Sequence, residues 1–463
     1  MHIHWFRRDL RLTDNTALNA ALQESPRIVP VYVLSDWVGA HPWTGVGRQQ
    51  FLCGCLDSLA KDISALGGRL IIRQGDAIKE LRKLIRETKA TAVFANRDPD
   101  PFGRKTEAAV FEMARSEGAE LRLFQDIAIH ERDEVRTATN TVFRVFTPYS
   151  KAWKKLDKPG ISNKPTEMVT PREISSLPLP TLATWNLSGT VNILEAGERV
   201  ARKRMTSFLG EKINHYGATR NIPSLEGGSR LSQDLRWGLL SPREIYLQSL
   251  EAATKGNAVE RKSGEVFINE LIWREFYMQI LWHNPEVLKT DFNPKFARVQ
   301  WHSNENAFSK WCNAETGYPI VDAAMRQLKA TGYMHNRLRM IVAMFLTKDL
   351  HINWREGERY FMQHLVDGEI ASNNGGWQWS AGTGADAAPY FRIQNPWLQT
   401  ARFDTDGIFI KKWMPELASV DPKRFCEAPP DGEALSPKYP APMVDHYRER
   451  DITLGLFKEG TAS

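Results

Sequence analysis

Cysteine is scarce in this chain. The four, at 53, 55, 312 and 426, are too few and too scattered for a disulfide framework or a four-thiolate zinc site. Apolar runs are short as well, and none approaches the roughly 18 residues a membrane span needs. Met1 leads almost directly into a strand-like run, without the basic and apolar stretches of a signal peptide. A soluble, cytoplasmic protein is the expectation. No glycine fingerprint follows the first strand, since Gly45 and Gly47 are displaced and lack a third glycine, so a nicotinamide dehydrogenase is disfavoured. Gly382, Gly384 and Ala387 match the spelling but not the strand-turn-helix context, because Pro389 follows at once. HExxH, P-loop and GxSxG sequences are absent, which removes the support for zinc hydrolysis, kinase-type and α/β-hydrolase chemistry. No internal repeat, long low-complexity tail or metal-ligand spacing is found, and no metal is expected.

What is present is a 463-residue chain with 42% hydrophobic residues, enough for two or three domains with buried cores. Lys plus Arg (61) exceed Asp plus Glu (55) only modestly, so a polyanion-binding groove would have to come from local clustering. Residues 2–6, 28–34, 69–74, 91–95 and 120–124 read as short strands. Helical periodicity near 14–24, 46–66, 76–89 and 103–118 separates them, which predicts a doubly wound parallel sheet, Rossmann-like, over residues 1–130. Ligands of such sheets sit beyond the carboxyl ends of the strands, here Arg7 to Asp9, Asp36 and Trp37, and Asn96 to Arg104. Prolines crowd 158–184, and 131–195 is taken as an interdomain linker. From 196 to 463 the pattern is all-α, with helices over 196–210, 241–254, 263–282, 318–331, 334–350 and 355–366.

Several segments of the helical part place polar residues inside apolar patterns. In FINELIWREFY, Glu270, Trp273, Arg274 and Tyr277 recur at i, i+3, i+4 and i+7 and share one helix face. Asn336, Arg339 and Met340 head a helix that then turns fully apolar. Gly228, Ser229 and Ser232 precede another helix and offer amides and hydroxyls to a phosphate. DGEIASNNGGWQW (367–379) mixes acids, paired Asn373 and Asn374, paired glycines and two tryptophans. That mixture suggests a wall against a flat, polar-edged ring, built by positive-φ glycines and close backbone approach.

Together with WFRRDLRLTDN (5–15), EGGSRLS (226–232), TGYPIVDAAMRQL (316–328), MHNRLRM (334–340) and NWREGERYFM (353–362), these segments resemble the photolyase/cryptochrome flavoproteins over nearly the whole chain. The likeness is greatest to class I cyclobutane pyrimidine dimer photolyases. The resemblance implies an N-terminal antenna domain and a helical domain that binds FAD and lesion DNA. Photoexcited, reduced FADH⁻ would give an electron to a dimer flipped from the duplex and take it back. It assigns the cofactor to Tyr216, Gly228, Ser229, Arg230, Leu231, Ser232, Phe267, Arg274, Arg339, Asp367, Gly368, Glu369 and Asn373, the last facing flavin N5. It assigns the lesion to Glu270, Trp273, Tyr277, Asn336, Met340 and Trp379, and the DNA backbone to Arg220, Arg337, Arg392 and Gln399. Trp301, Trp354 and Trp377 stand where the family has its electron-transfer chain, and Asp98 and Asp100 are antenna-site candidates. A second chromophore would be of deazaflavin or methenyltetrahydrofolate type. Gly228, Phe267 and Glu369 depart from the family's usual hydroxyl, tryptophan and aspartate. A monomer acting on DNA is expected. The alternatives are a cryptochrome-like photoreceptor, which the Asn373 and lesion sets disfavour, and a (6-4) photolyase, which would have a histidine pair where Asn336 stands.

Overall fold

β-Branched and aromatic residues build five short strands, β1 (His2–Phe6), β2 (Ile28–Leu34), β3 (Ile71–Gln74), β4 (Ala92–Asn96) and β5 (Glu120–Phe124), in a computed structural model that describes residues 1–461. They pair in parallel in the order β3-β2-β1-β4-β5, with β1 flanked in register by Ile28–Tyr32 and by Ala92–Phe94. Pro30 lies before the first β2–β3 pair, Val31 with Ile71, where β2 still has an open side for a residue lacking an N–H. Helices α1 (Thr16–Glu24), α2 (Val46–Ala65), α3 (Ala77–Thr88) and α4 (Pro101–Ser116) make the crossovers. This is the doubly wound sheet expected of the first part of the chain.

Strand alternation splits the sheet's side chains between two cores. Ile3, Trp5, Val29, Val31 and Val93 pack with Leu81, Leu84 and Val110 on one face. Phe6, Ile28, Ile72 and Phe94 of the other face belong to a core that continues into the helical region through Phe208, Phe267, Ile272 and Phe276. The two halves are therefore joined by a shared apolar interior.

The rest of the chain is helical: α5 (Phe146–Lys155), α6 (Glu198–Gly210), α7 (Tyr216–Thr219), α8 (Ser232–Arg236), α9 (Pro242–Lys255), α10 (Ala258–His283), α11 (Glu305–Asn313), α12 (Pro319–Thr331), α13 (Asn336–Met344), α14 (Trp354–His364), α15 (Ile370–Ala381), α16 (Pro396–Phe403), α17 (Ile408–Trp413) and α18 (His446–Thr461). The long central α10 starts at a reciprocal cap, Asn257 accepting from the Glu260 amide while Glu260 accepts from that of Asn257. Three elements differ from the periodicity reading. The helix expected over 334–350 turns into a π-helical segment at Phe345–Asp349. The 367–391 stretch contains α15, in which Gly375 and Gly376 are helical and not at positive φ. The expected linker contains α5, whose Tyr149 and Trp153 are buried. Among the described residues no helix is long and apolar enough to cross a membrane.

Candidate active site

Helices α10, α13 and α15 and the segment 228–236 enclose a cavity of about 530 Å³. Its volume lies in the range of small-molecule and cofactor sites. From α10 come Phe267, Glu270, Trp273, Arg274 and Tyr277, the face that the i, i+3, i+4, i+7 spacing predicted, and from α13 come Asn336, Arg337, Arg339 and Met340. Helix α15 and the residues before it add Asp367, Gly368, Glu369, Asn373, Gly376, Trp377 and Trp379. Tyr216, Arg220 and the run Gly228 to Ser232 complete the expected set. The paired glycines of α15 divide their work. A Cβ at Gly375 would strike the Tyr277 ring, so this residue lets α10 and α15 touch, whereas Gly376 opens onto the cavity. Helix α8 is a single turn, too short for a helix dipole to matter, so an anion at 228–232 would meet loop amides and hydroxyls.

Charge is distributed unevenly over this lining. Arg220 pairs with Glu270, whose carboxyl is pushed up by burial against the pull of that guanidinium. Arg339 donates to Asp367 Oδ2 at 2.7 Å. Glu369 answers Arg274 at 3.5 Å and Arg8 from the sheet domain. Burial pushes the Glu369 carboxyl up, but Arg274 and Arg8 outweigh it and hold it below the ordinary range. Asn373 donates its amide to the Glu358 carbonyl at 3.0 Å, which leaves its oxygen as the acceptor at the cavity wall, whereas Asn374 is bonded at both ends to Val287, Glu358 and Gln378. Arg230 Nε, Arg236 Nη1, Asp367 Oδ1 and Trp377 Nε1 belong to lining residues, are buried and have no partner among the described residues. Buried polar atoms are nearly always satisfied, so this set points to a polar ligand with both donors and acceptors.

The chain's relatives identify that ligand's class. The family model described as "DNA photolyase" matches residues 2–170, and that described as "FAD binding domain of DNA photolyase" matches 267–459. A deoxyribodipyrimidine photo-lyase of Vibrio cholerae is 38% identical over 470 residues, covering 99% of each chain, and that of Escherichia coli is 39% identical over 99% of this chain and 98% of its own. The chain belongs to the DNA photolyase family. Its fold superposes on a bacterial class III photolyase from Agrobacterium tumefaciens with TM-score 0.92 and 36% identity, covering 100% of this chain and 98% of that one. An archaeal photolyase from Sulfolobus tokodaii, solved with two FAD molecules, gives 0.86 at 30% identity over 99% of each chain. FAD is the cofactor of this photolyase, and the residues fit it: unpartnered cationic and acidic atoms, loop amides at 228–232, and an acceptor at Asn373.

Other residues of the photolyase chain lie outside the cavity. Trp354 is buried on α14 with its indole N–H on Asp291 at 2.8 Å. One turn along from Trp354, a Cβ at Gly357 would collide with the six-membered ring of Trp377, so that ring rests on the α14 backbone. Trp301 is half-buried and meets Phe457 of α18. The aromatic rings packed against Trp377 are Phe361 and Trp311. Arg392 is exposed after α15, and Gln399 is half-buried on α16. Asp98 and Asp100, the antenna-site candidates, lie at the carboxyl end of β4. Both accept from Arg8 Nη1 at 3.0 Å and so brace the guanidinium that holds Glu369. Sequence reading missed Arg236, Tyr333 and His335 in the lining, and Phe146, which stacks on Trp273 at 3.8 Å and 5°. For Arg236 a signal existed, one turn after Ser232 on the same short helix, and for Phe146 there was none.

Proposed function

We propose that the chain is a deoxyribodipyrimidine photo-lyase that splits cyclobutane pyrimidine dimers in DNA under blue or near-UV light. The observation that carries this reading is the double character of one cavity. Part of its lining is charged and hydrogen-bonding, with Arg230, Arg339, Asp367, Glu369 and Asn373. The same lining holds two indoles, Trp273 and Trp379, with Glu270, Asn336 and Met340.

Bound FAD, reduced and light-excited, supplies the electron that opens the cyclobutane ring and takes it back. The protein's part is to hold and to insulate. Ser229, Arg230, Ser232 and Tyr216 hold the phosphate side, and Arg274, Arg339, Asp367, Glu369 and Asn373 hold the ring and ribose. Trp273 and Trp379 flank a flipped pyrimidine pair and exclude water, Asn336 bonds a base edge, and Met340 fills the remaining space. Glu270, whose carboxyl burial pushes up against the pull of Arg220, faces the dimer from α10 and bonds it there. Trp377, Trp354 and Trp301 would supply electrons to the bound cofactor. Arg220, Arg337, Arg392 and Gln399 hold phosphates on either side, so affinity falls as salt rises. The protein acts on DNA as a monomer, and DNA repair with unpaired cysteines fits a reducing cytoplasm.

The (6-4) alternative fits less well. His335 lies beside Asn336, but its Nδ1 caps α13 by accepting from the Arg337 amide at 3.2 Å, and burial, aided by Arg339 and Arg337, lowers it to about 4. Its Nδ1 is thus engaged within α13. Irradiating the reduced protein with oligonucleotides carrying a thymine dimer or a (6-4) product, and following thymine absorbance, tests the reading. Recovery with the dimer alone is expected, and no recovery with fully reduced flavin would leave the photoreceptor alternative. Trp377→Phe is expected to abolish photoreduction of oxidised flavin while pre-reduced enzyme still repairs; unchanged photoreduction would overturn the electron path.

A further inference from the structure

The arginines of the cavity fall into two groups. Arg220, Arg274 and Arg339 each face a carboxylate of the same lining, whereas Arg230, Arg236 and Arg337 have none. Arg230 lies over the Tyr333 ring at 3.7 Å, and Arg337 donates to Asn221 at 2.8 Å. Arg236 is different. Its Nε donates to the Gly368 carbonyl at 2.9 Å, its guanidinium carbon lies 5.3 Å from the centre of the Trp237 ring, and its buried Nη1 has no partner among the described residues.

The acids near Arg236 are engaged elsewhere. Asp100 accepts from Arg8, and Glu369 is shared between Arg8 and Arg274. Arg48 adds to the imbalance from behind: it is buried, donates only to the Trp43 and Leu365 carbonyls and the Met362 sulfur, and presses so closely that no Cβ fits at Gly368. A guanidinium remains charged in proteins, and burial, followed by the neighbouring Arg8, lowers that of Arg236 only to about 10. One wall of the cavity, between Asp367 and Glu369, thus carries a guanidinium that no carboxylate pairs at contact distance, with Asp100, Glu369 and Asp98 acting on it only from further off. Leaving it so is costly unless an anion arrives.

We propose that Arg236 is a charge-setting residue of the cofactor site, which stabilises the anionic, reduced ring of FAD from the Gly368 side and thereby raises its reduction potential. This rests on the FAD assignment of the family, and it goes beyond it by giving a function to a residue outside the expected cofactor set.

The test is spectroelectrochemistry of the purified flavoprotein, with FAD content and thermal melting recorded beside it. Arg236→Gln is expected to make reduction of the bound flavin about tenfold less favourable, a fall of about 59 mV for one electron. Arg236→Lys, which keeps the charge without the fork, is expected to stay within half of that change. If Arg236→Gln does not fold, Arg236→Met, which keeps the length of the side chain without its charge, replaces it in the same comparison. A potential that is the same in the parent and in the neutral variant overturns the proposal, whether or not FAD content falls. Failure of the FAD reading itself would show separately, as a parent protein without bound flavin.

Discussion

Glu358 holds the adjacent asparagines of α15 in different states, its carbonyl taking Asn373 at 3.0 Å and its carboxyl taking Asn374 at 2.9 Å. Burial pushes that carboxyl up from 4.5 to about 7. Folding therefore binds a proton that the unfolded chain would release between those values. The contribution to stability is fully present below about pH 4.5 and is lost as pH rises through 7. Glu358→Gln removes the titration, so relative to the parent it should gain about 3 kcal/mol across that window, at 1.36 kcal/mol per pKa unit. Urea unfolding of both apoproteins at several pH values measures it, and parallel pH profiles would refute the assignment. Gly357 is a second single-atom constraint. Gly357→Ala drives a methyl into the Trp377 ring, which should cost roughly 1–3 kcal/mol as overpacking. It should also slow photoreduction of oxidised flavin by displacing the indole, while repair by pre-reduced enzyme persists. A normal photoreduction rate would show that Trp377 tolerates movement or is not on the path.

Element by element, legibility in the sequence followed periodicity. The α10 face was readable because Glu270, Trp273, Arg274 and Tyr277 keep helical spacing against a buried side of Leu271, Ile272 and Phe276. The sheet was readable from its β-branched runs. Helix α15 was not, because Asn373, Asn374, Gly375 and Gly376 are poor helix formers in succession, and only contacts such as Tyr277 on Gly375 stabilise that turn. The pocket itself was legible through motif resemblance, whereas the Arg8 link to Glu369 joins residues far apart in sequence and left no local trace. Helix α5 is the clearest loss. It looked like connector, yet Phe146 lies flat on Trp273 and its amide donates to Asp386 at 3.2 Å, which ties the linker to the Trp273 side of the cavity. Phe146→Ala should free Trp273 and weaken binding of dimer-containing DNA by about 0.5–1.5 kcal/mol, the worth of an aromatic pair beyond its area. Undamaged DNA should bind as before. Equal losses on both DNAs in a fluorescence-anisotropy titration would place the effect on the backbone footprint instead.

At the scale of the molecule, the sheet domain and the helical domain are wired together by buried charge as well as by a shared core. Arg243 of α9 donates to Asp14 at 2.9 Å and to Asp126 at 2.8 Å, and Asp126 also accepts from Arg11 at 2.7 Å. Glu198 of α6 accepts the amides of Leu12 and Thr13. Burial pushes the Asp126 carboxyl up, but Arg11 and Arg243 outweigh it and hold it below 3.8, so its contribution is present above that pH and is lost as pH falls through the lowered value. Such a junction gives neither half an independent surface to retreat to, and the parent should melt in one calorimetric transition with equal calorimetric and van't Hoff enthalpies. Two resolved transitions in the parent would refute the coupling. Arg243→Met leaves Asp14 and Asp126 short of a buried partner, which should cost about 3–5 kcal/mol. Because Asp126 then keeps Arg11 as its cationic partner, beside the Thr16 amide and hydroxyl, its carboxyl should protonate more readily, and the variant's deficit should shrink as the pH is lowered toward the acid limit of the parent. A deficit independent of pH would mean that Arg243 contributes by packing, not by charge.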